Sequence, residues 1–317
     1  MLRTAKLWSS MPELPEPAET SFLRYVQERD RGVVGGTEEG SRYAFGGDLQ
    51  MLRAFKRAAP LELAVGSLVR ASKTLLRNQY LGTTVRVGPN QLPRIHGIVK
   101  ECALRLGVPV PTVYVANSPY MNAYTYGTDE DSFIVVHSKL IDDFTDDELK
   151  FVIGHEVGHI QNKHVVYMTA LRLLTIQRNM LMSLLSPLIK AGLLAWARRA
   201  EITCDRAGAL CAGDVAIAQQ AFLKMACGST KLYGELDVGS YLEQFEEGQR
   251  GVGRVTEIAA SHPYLPKRMK ALALFAESDV YRGALGLPGG RPLREIDEEV
   301  ARFIKVAPLA SWGSGRS

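Results

Sequence analysis

Residues 145–161, "TDDELKFVIGHEVGHIQ", constrain this chain more than any other stretch. Thr145 followed three residues later by Glu148 is a capping box. The hydroxyl accepts from an orphan amide of the first turn, and the glutamate reaches back to the cap residue. Asp146 and Asp147 complement the positive end of a helix that starts there. The apolar run behind them predicts a helix extending through the histidines. Residues four apart on such a helix share a face, about 6 Å apart along the axis, so His155 and His159 project side by side. That suits two neighbouring positions of a tetrahedral zinc. Glu156, rotated about 100° from His155, flanks a metal without binding it and can take a proton from a water there, which is why HExxH recurs as a metal motif.

Zinc needs a third protein ligand and an open position. His164 is the nearest candidate, but a metzincin would have glycine at Asn162 and histidine at Val165. Five residues beyond His159, it points off the ligand face and reads as a surface histidine or one backing a ligand. "RRAEITCDRAGALCAG" (198–213) offers more. Glu201 and Asp205 are again one helical turn apart. Glu201 can complete a His-His-Glu set, and Asp205 can accept the free N–H of a ligating histidine. The site asks for one zinc ion per chain, other divalent ions being less suited to this set.

Around this centre, helical spacing over 48–76 is broken at Pro60. "GTTVRVG" (82–88) alternates as a strand, a helix spans 90–106, and "LGVPVPTVYVAN" turns into a second strand. "YMNAYTY" (120–126) and "FIVVH" (133–137) read as two more strands across the charged turn "GTDEDS". Helices fill 165–228 and 254–279. Residues 1–45 read as a flexible N-terminal arm, 46–285 as one zinc-site domain, and 286–317, rich in Gly, Pro and Arg, as a flexible tail.

Four motifs in this order resemble the HtpX, Oma and CAAX prenyl endopeptidase group of gluzincin metallopeptidases: "NAYTYG" (122–127), "HEVGH" (155–159), "AEITCDRAG" (200–208) and "SHPYLPKRM" (261–269). The resemblance covers about residues 75–275. It implies a mainly helical, zincin-like α+β fold with a small mixed sheet, whose edge strand flanks the active-site helix. It also implies Glu201 as third ligand and Asp205 as its supporting partner. "NAYTYG" resembles the family's edge strand, which pairs with extended substrate; Asn122, Ala123 and Tyr124 are the expected substrate contacts. Tyr124 and Tyr126 alternate, so they share one face and can equally be core. In the last motif His262 can donate to an oxyanion, and Arg268 can anchor its loop by an ion pair to a buried carboxylate.

The expected activity is zinc-dependent cleavage of extended or unfolded polypeptides, with Glu156 as base. The alternative is a non-cleaving or latent, metal-stabilised polypeptide-binding module, against which Glu156 argues. Neither a GxSxG elbow nor a phosphate loop competes. A net charge of +4 without long basic runs argues against nucleic acid as partner. The N-terminus carries proline and glutamate where a signal peptide is apolar, so no secretory export and a cytoplasmic location are expected. The four cysteines show no CxxC pairing, and Cys204 reads as core. Family members often carry transmembrane helices. Here only residues 180–197, "MLMSLLSPLIKAGLLAWA", approach that length, and Pro187 and Lys190 near the middle favour a buried or interfacial helix pair with peripheral membrane contact. Oligomeric state has no signature.

Overall fold

The computed structural model describes residues 41–57, 80–176, 187–248 and 264–304, with 65–67, 69–70 and 78 in addition. The α+β expectation holds, with a four-stranded mixed sheet beside a larger helical body. The sheet comprises β1 (Thr84–Arg86), β2 (Thr112–Ala116), β3 (Ala123–Gly127) and β4 (Ser132–His137), in spatial order β1-β2-β4-β3. The β2–β4 pair is parallel and the other two are antiparallel, which leaves β3 at an edge. The β3–β4 hairpin depends on Gly127, at φ 123°, where an added Cβ would meet the Asp131 carbonyl at 2.3 Å.

Period-2 alternation assigns the two sheet faces. Val113, Ile134 and Val136 pack into the main core with α1 of the helical body, Pro93–Leu106, through Ile95, Ile98 and Cys102. Tyr114, Tyr126, Phe133 and Val135 form a second cluster on the opposite face, with Tyr80 and Tyr124 against it. Tyr124 and Tyr126 therefore do share a face, and it points away from the zinc-motif helix.

That helix is α2, Asp146–Gln161, and its capping box is formed. Thr145 N–H donates to Glu148 Oε2 at 2.8 Å, and Glu148 N–H donates to the Thr145 hydroxyl at 3.3 Å. Residues Leu149 and Phe151 to His159 are all buried, so this helix lies within the core and not on a surface. Its main neighbour is α3, Pro187–Ala212, which carries Glu201. The two approach at glycines. A Cβ on Gly154 would meet Cys211 Cβ at 2.6 Å, one on Gly158 would meet Ala207 Cβ at 2.7 Å, and one on Gly208 would meet the Phe151 carbonyl at 2.5 Å. Between them in sequence comes α4, Val165–Ile176; after them come α5, Val215–Cys227, and α6, Leu265–Ala276.

Three boundaries differ from expectation. The N-terminal arm does not run to residue 45: Tyr43 and Phe45 are buried, and Ser41 N–H and Oγ both donate to Asn162 Oδ1 at the end of α2. The C-terminal segment is not a loose tail throughout. Leu293–Phe303 forms α7, whose Ile296 and Val300 are buried against Phe45, Ile202 and Ala271. Its Asp297 accepts from the buried Arg206 guanidinium at 2.7 Å and from Gly46 N–H at 2.8 Å. The Gly-Pro lead-in disguised this helix, because Arg291 pairs its backbone with Glu277 and Asp279 and so ties the loop down. Finally, the apolar stretch 180–197 is no helix pair over its described half. Residues 187–197 are the first turns of α3, and Leu193, Trp196 and Ala197 are fully buried. Residues 180–186 lie outside the described residues, as do Pro60 and 251–263. Among the described residues, no helix is long and apolar enough to cross a membrane.

Candidate active site

His155 and His159 leave α2 on the face that meets α3, and Glu201 comes to them from α3. His155 Nε2 lies 3.5 Å from Glu201 Oε2, and His159 Nε2 lies 3.6 Å from Glu201 Oε1. Tetrahedral zinc with ligands at its usual bond lengths holds them roughly 3.4 Å apart. Both histidine–glutamate separations are close to that value, and all three ligand atoms lie within 4.8 Å of one another; the charges agree. Glu156, Glu201 and Asp205 are three buried acids, faced by one buried arginine, Arg268. A divalent cation would offset the remaining negative charge, which is costly to bury alone.

Behind His155 stands Asp205, one turn on from Glu201, with Oδ1 3.0 Å from His155 Nδ1. Arg268 from α6 braces the pair: its Nε donates to Asp205 Oδ2 at 2.8 Å, and its Nη1 lies 3.2 Å from Glu201 Oε2. Burial works against charge on His155, but the Glu201 and Asp205 carboxylates outweigh it and raise its pKa above the ordinary histidine value. The field that favours a proton there is the field a metal cation would meet. Burial wins at His159, whose pKa is lowered, leaving the neutral imidazole that ligation requires. Burial also pushes the Cys204 thiol pKa well up, against the thiolate a competing ligand would need.

Glu156 sits beside this triangle, and here sequence reasoning missed a residue. The Thr125 hydroxyl on β3 lies 2.6 Å from Glu156 Oε2 and 3.3 Å from the Glu156 carbonyl. Thr125 alternates with Tyr124 and Tyr126, so the period that put the tyrosines on one face puts the threonine on the other, toward α2. The main chain alternates as well. His137 N–H donates to the Asn122 carbonyl, and Ala123 and Thr125 sit opposite Val136 and Ile134 in register. Residues 122, 124 and 126 therefore turn their backbone groups to β4, while Ala123 and Thr125 turn theirs to the free edge. Asn122 is exposed and its carbonyl is taken by His137. Ala123, Tyr124 and Thr125 line the cleft with His155, Glu156, His159 and Glu201. Met168 and Arg172 of α4 line it too, neither flagged by any motif; Arg172 stacks 4.3 Å over the Tyr124 ring. His262 lies outside the described residues.

Two histidines one turn apart on a helix, closed into a zinc-sized triangle by a glutamate from the next long helix, are the centre of the metallopeptidase class. Within that class the chain belongs to peptidase family M48, whose model matches residues 89–275. Among curated relatives, the plastoglobule-localized metallopeptidase 48, chloroplastic, of Arabidopsis thaliana is 38% identical over 174 residues, 54% of this chain and 50% of that protein. A protease HtpX homolog of Caldanaerobacter subterraneus subsp. tengcongensis is 41% identical over 86 residues, covering 27% of this chain and 29% of its own. Another, from Acaryochloris marina, is 32% identical over 134 residues, or 42% and 44%. The chain spans half the length or less of these relatives. No solved structure matches it.

Proposed function

We propose that this chain is a zinc-dependent endopeptidase that hydrolyses peptide bonds in extended or unfolded polypeptides. One observation carries the proposal: the Glu156 carboxylate is held by Thr125 between a zinc-sized ligand triangle and a sheet edge that offers backbone hydrogen bonds. One zinc ion per chain, held by His155 Nε2, His159 Nε2 and Glu201, would supply the Lewis acidity that polarises a scissile carbonyl and acidifies a water.

The chain's own residues do the rest. Extended substrate pairs with the free edge through the N–H and C=O groups of Ala123 and Thr125, a mode that reads backbone before side chain. The small Ala123 side chain leaves that approach open. Glu156 takes the proton of the attacking water and delivers it to the leaving amine. Thr125 fixes the carboxylate for both transfers, so one residue ties the substrate-binding edge to the base. Asp205, braced by Arg268, holds His155 with Nε2 inward. His262, by its motif, donates to the oxyanion, a contribution often worth a few kcal/mol.

The test compares wild type with Glu156→Gln, each assayed for zinc by elemental analysis and for cleavage of casein. Both should hold about one zinc, and only wild type should cut. Zinc in both with cleavage by neither would refute the peptidase assignment.

A further inference from the structure

Each ligand histidine turns Nε2 toward Glu201 and presents Nδ1 to a group behind it. For His155 that group is the Asp205 carboxylate. For His159 it is another imidazole, with His159 Nδ1 3.3 Å from His164 Nδ1. His164 is fully buried, and its other nitrogen, Nε2, lies 3.0 Å from Asp48 Oδ2. Asp48, in the helix Gly46–Arg57, is fully buried too. Its Oδ1 accepts from Trp196 Nε1–H at 2.9 Å and its Oδ2 from the Thr203 hydroxyl at 2.7 Å. Thr203 Oγ1 in turn accepts from Phe45 N–H at 3.1 Å. Trp196 closes the remaining side, edge-on to His164 with ring centroids 5.5 Å apart.

The order of atoms dictates the protons. Only one proton fits between two facing Nδ1 atoms. With the His159 Nε2 lone pair aimed into the ligand triangle, His159 carries its proton on Nδ1 and donates it. His164 Nδ1 is then the acceptor, which leaves the His164 proton on Nε2, the nitrogen within ion-pair distance of Asp48. His159, His164 and Cys204 also have the spacing of a metal-binding group. Using it would require a Cys204 thiolate in a fully buried position and a metal on His159 Nδ1, the atom that faces away from Glu201. Cys204 Sγ lies 3.6 Å from His164 Nδ1, beside the nitrogen that His159 already occupies.

We propose that His164 and Asp48 are positioning residues of the metal centre, fixing His159 in the tautomer and orientation that offer Nε2 to the ion. This inference rests on the peptidase reading only in taking His155, His159 and Glu201 as ligands. It means that the two histidines are supported from opposite sides by different devices, one direct carboxylate and one carboxylate acting through an imidazole. Asp48 and Phe45 lie outside the family-matched span 89–275, so the centre is completed by a segment that this match does not include.

The experiment uses the full chain as wild type, His164→Phe and His164→Gln. Phenylalanine keeps a ring against Trp196 and removes both polar contacts. Glutamine can accept from His159 and donate to Asp48. Three quantities are measured: the zinc dissociation constant by chelator competition, the Tm of the metal-free protein, and the visible spectrum of the cobalt-substituted form. His164→Phe should weaken zinc binding about 10- to 100-fold, the range for lost partners of metal ligands, and shift the cobalt bands. His164→Gln should stay within about threefold of wild type. Unchanged zinc affinity in the phenylalanine variant, or equal losses in both, would overturn the proposal, since a merely structural role moves Tm without separating them. Should His164→Phe fail to fold, Asp48→Asn takes its place, with about a tenfold loss expected and unchanged affinity again overturning it. A wild type that binds zinc and cuts nothing refutes the peptidase reading alone; one that binds no zinc refutes both.

Discussion

Thr125→Val tests most sharply whether the edge strand and the base work as one unit. Valine keeps the shape of threonine and removes the hydroxyl, at a site only 6% exposed. The hydroxyl has a single proton, and the 2.6 Å contact to Glu156 Oε2 claims it over the 3.3 Å contact to the Glu156 carbonyl. A hydrogen bond to a charged group contributes about 1.5–3 kcal/mol. At about 1.4 kcal/mol per decade of rate, losing all of it from the transition state would lower kcat/KM by about 10- to 150-fold. Water can reach the cleft side of Glu156 and recover part of that, so about 10- to 30-fold is expected, carried by kcat. The assay is steady-state cleavage of an internally quenched peptide, with zinc content measured in each sample and Thr125→Ser as the hydroxyl-retaining control. Serine should restore most of the rate. A valine variant with full zinc and kcat/KM within about twofold of wild type would show that Glu156 needs no support from the strand.

Other consequences follow from packing and charge. Gly158→Ala drives a methyl group to 2.7 Å from Ala207 Cβ and should destabilise the protein by about 1–3 kcal/mol, read as a fall in denaturant midpoint at unchanged slope. Asp297→Ala strands the fully buried Arg206 guanidinium. It should destabilise by about 3–5 kcal/mol, and an effect under about 0.5 kcal/mol, typical of a surface site, would sink the case for α7 as part of the core. Arg268→Met leaves Asp205 and Glu201 without their shared cation and should weaken zinc retention against a chelator, whereas Arg268→Lys should lose less. Burial raises the pKa of Asp48, but His164, Thr203 and Trp196 outweigh it and hold it below the usual aspartate value. Its contribution to stability is then present above the unfolded pKa of about 3.9 and lost as pH falls through the lower folded one. Acid unfolding of Asp48→Asn should lack that component, seen as a shallower fall of stability with pH below about 4.

What the sequence disclosed was the part of the site built by local rules. The capping box, the one-turn spacing of His155 and His159, and the same spacing in Glu201 and Asp205 each fit within a few residues, and the alternation of "NAYTYG" marked a strand. Pairings between distant segments were not legible. Asp48 meets His164 and Arg206 meets Asp297 across long stretches of chain, and no periodicity reports such contacts. His164 shows why local extrapolation fails at a helix end. On a continuing helix it would face away from His159. The helix stops at Gln161, Lys163 adopts φ 57°, and His164 N–H donates to the His159 carbonyl, which swings the ring back behind its neighbour. Thr125 was within reach, since the alternation that grouped the tyrosines also assigns it the opposite face.

The glycine contacts between α2 and α3 have a further implication. The histidines ride on one helix and Glu201 on the other, so the distance between them is set by how closely two backbones can lie, and Gly154, Gly158 and Gly208 bring them together. The geometry of the ligand triangle is thus tied to helix packing, and a residue that pushed the two backbones apart would spread the ligand atoms without touching any of them.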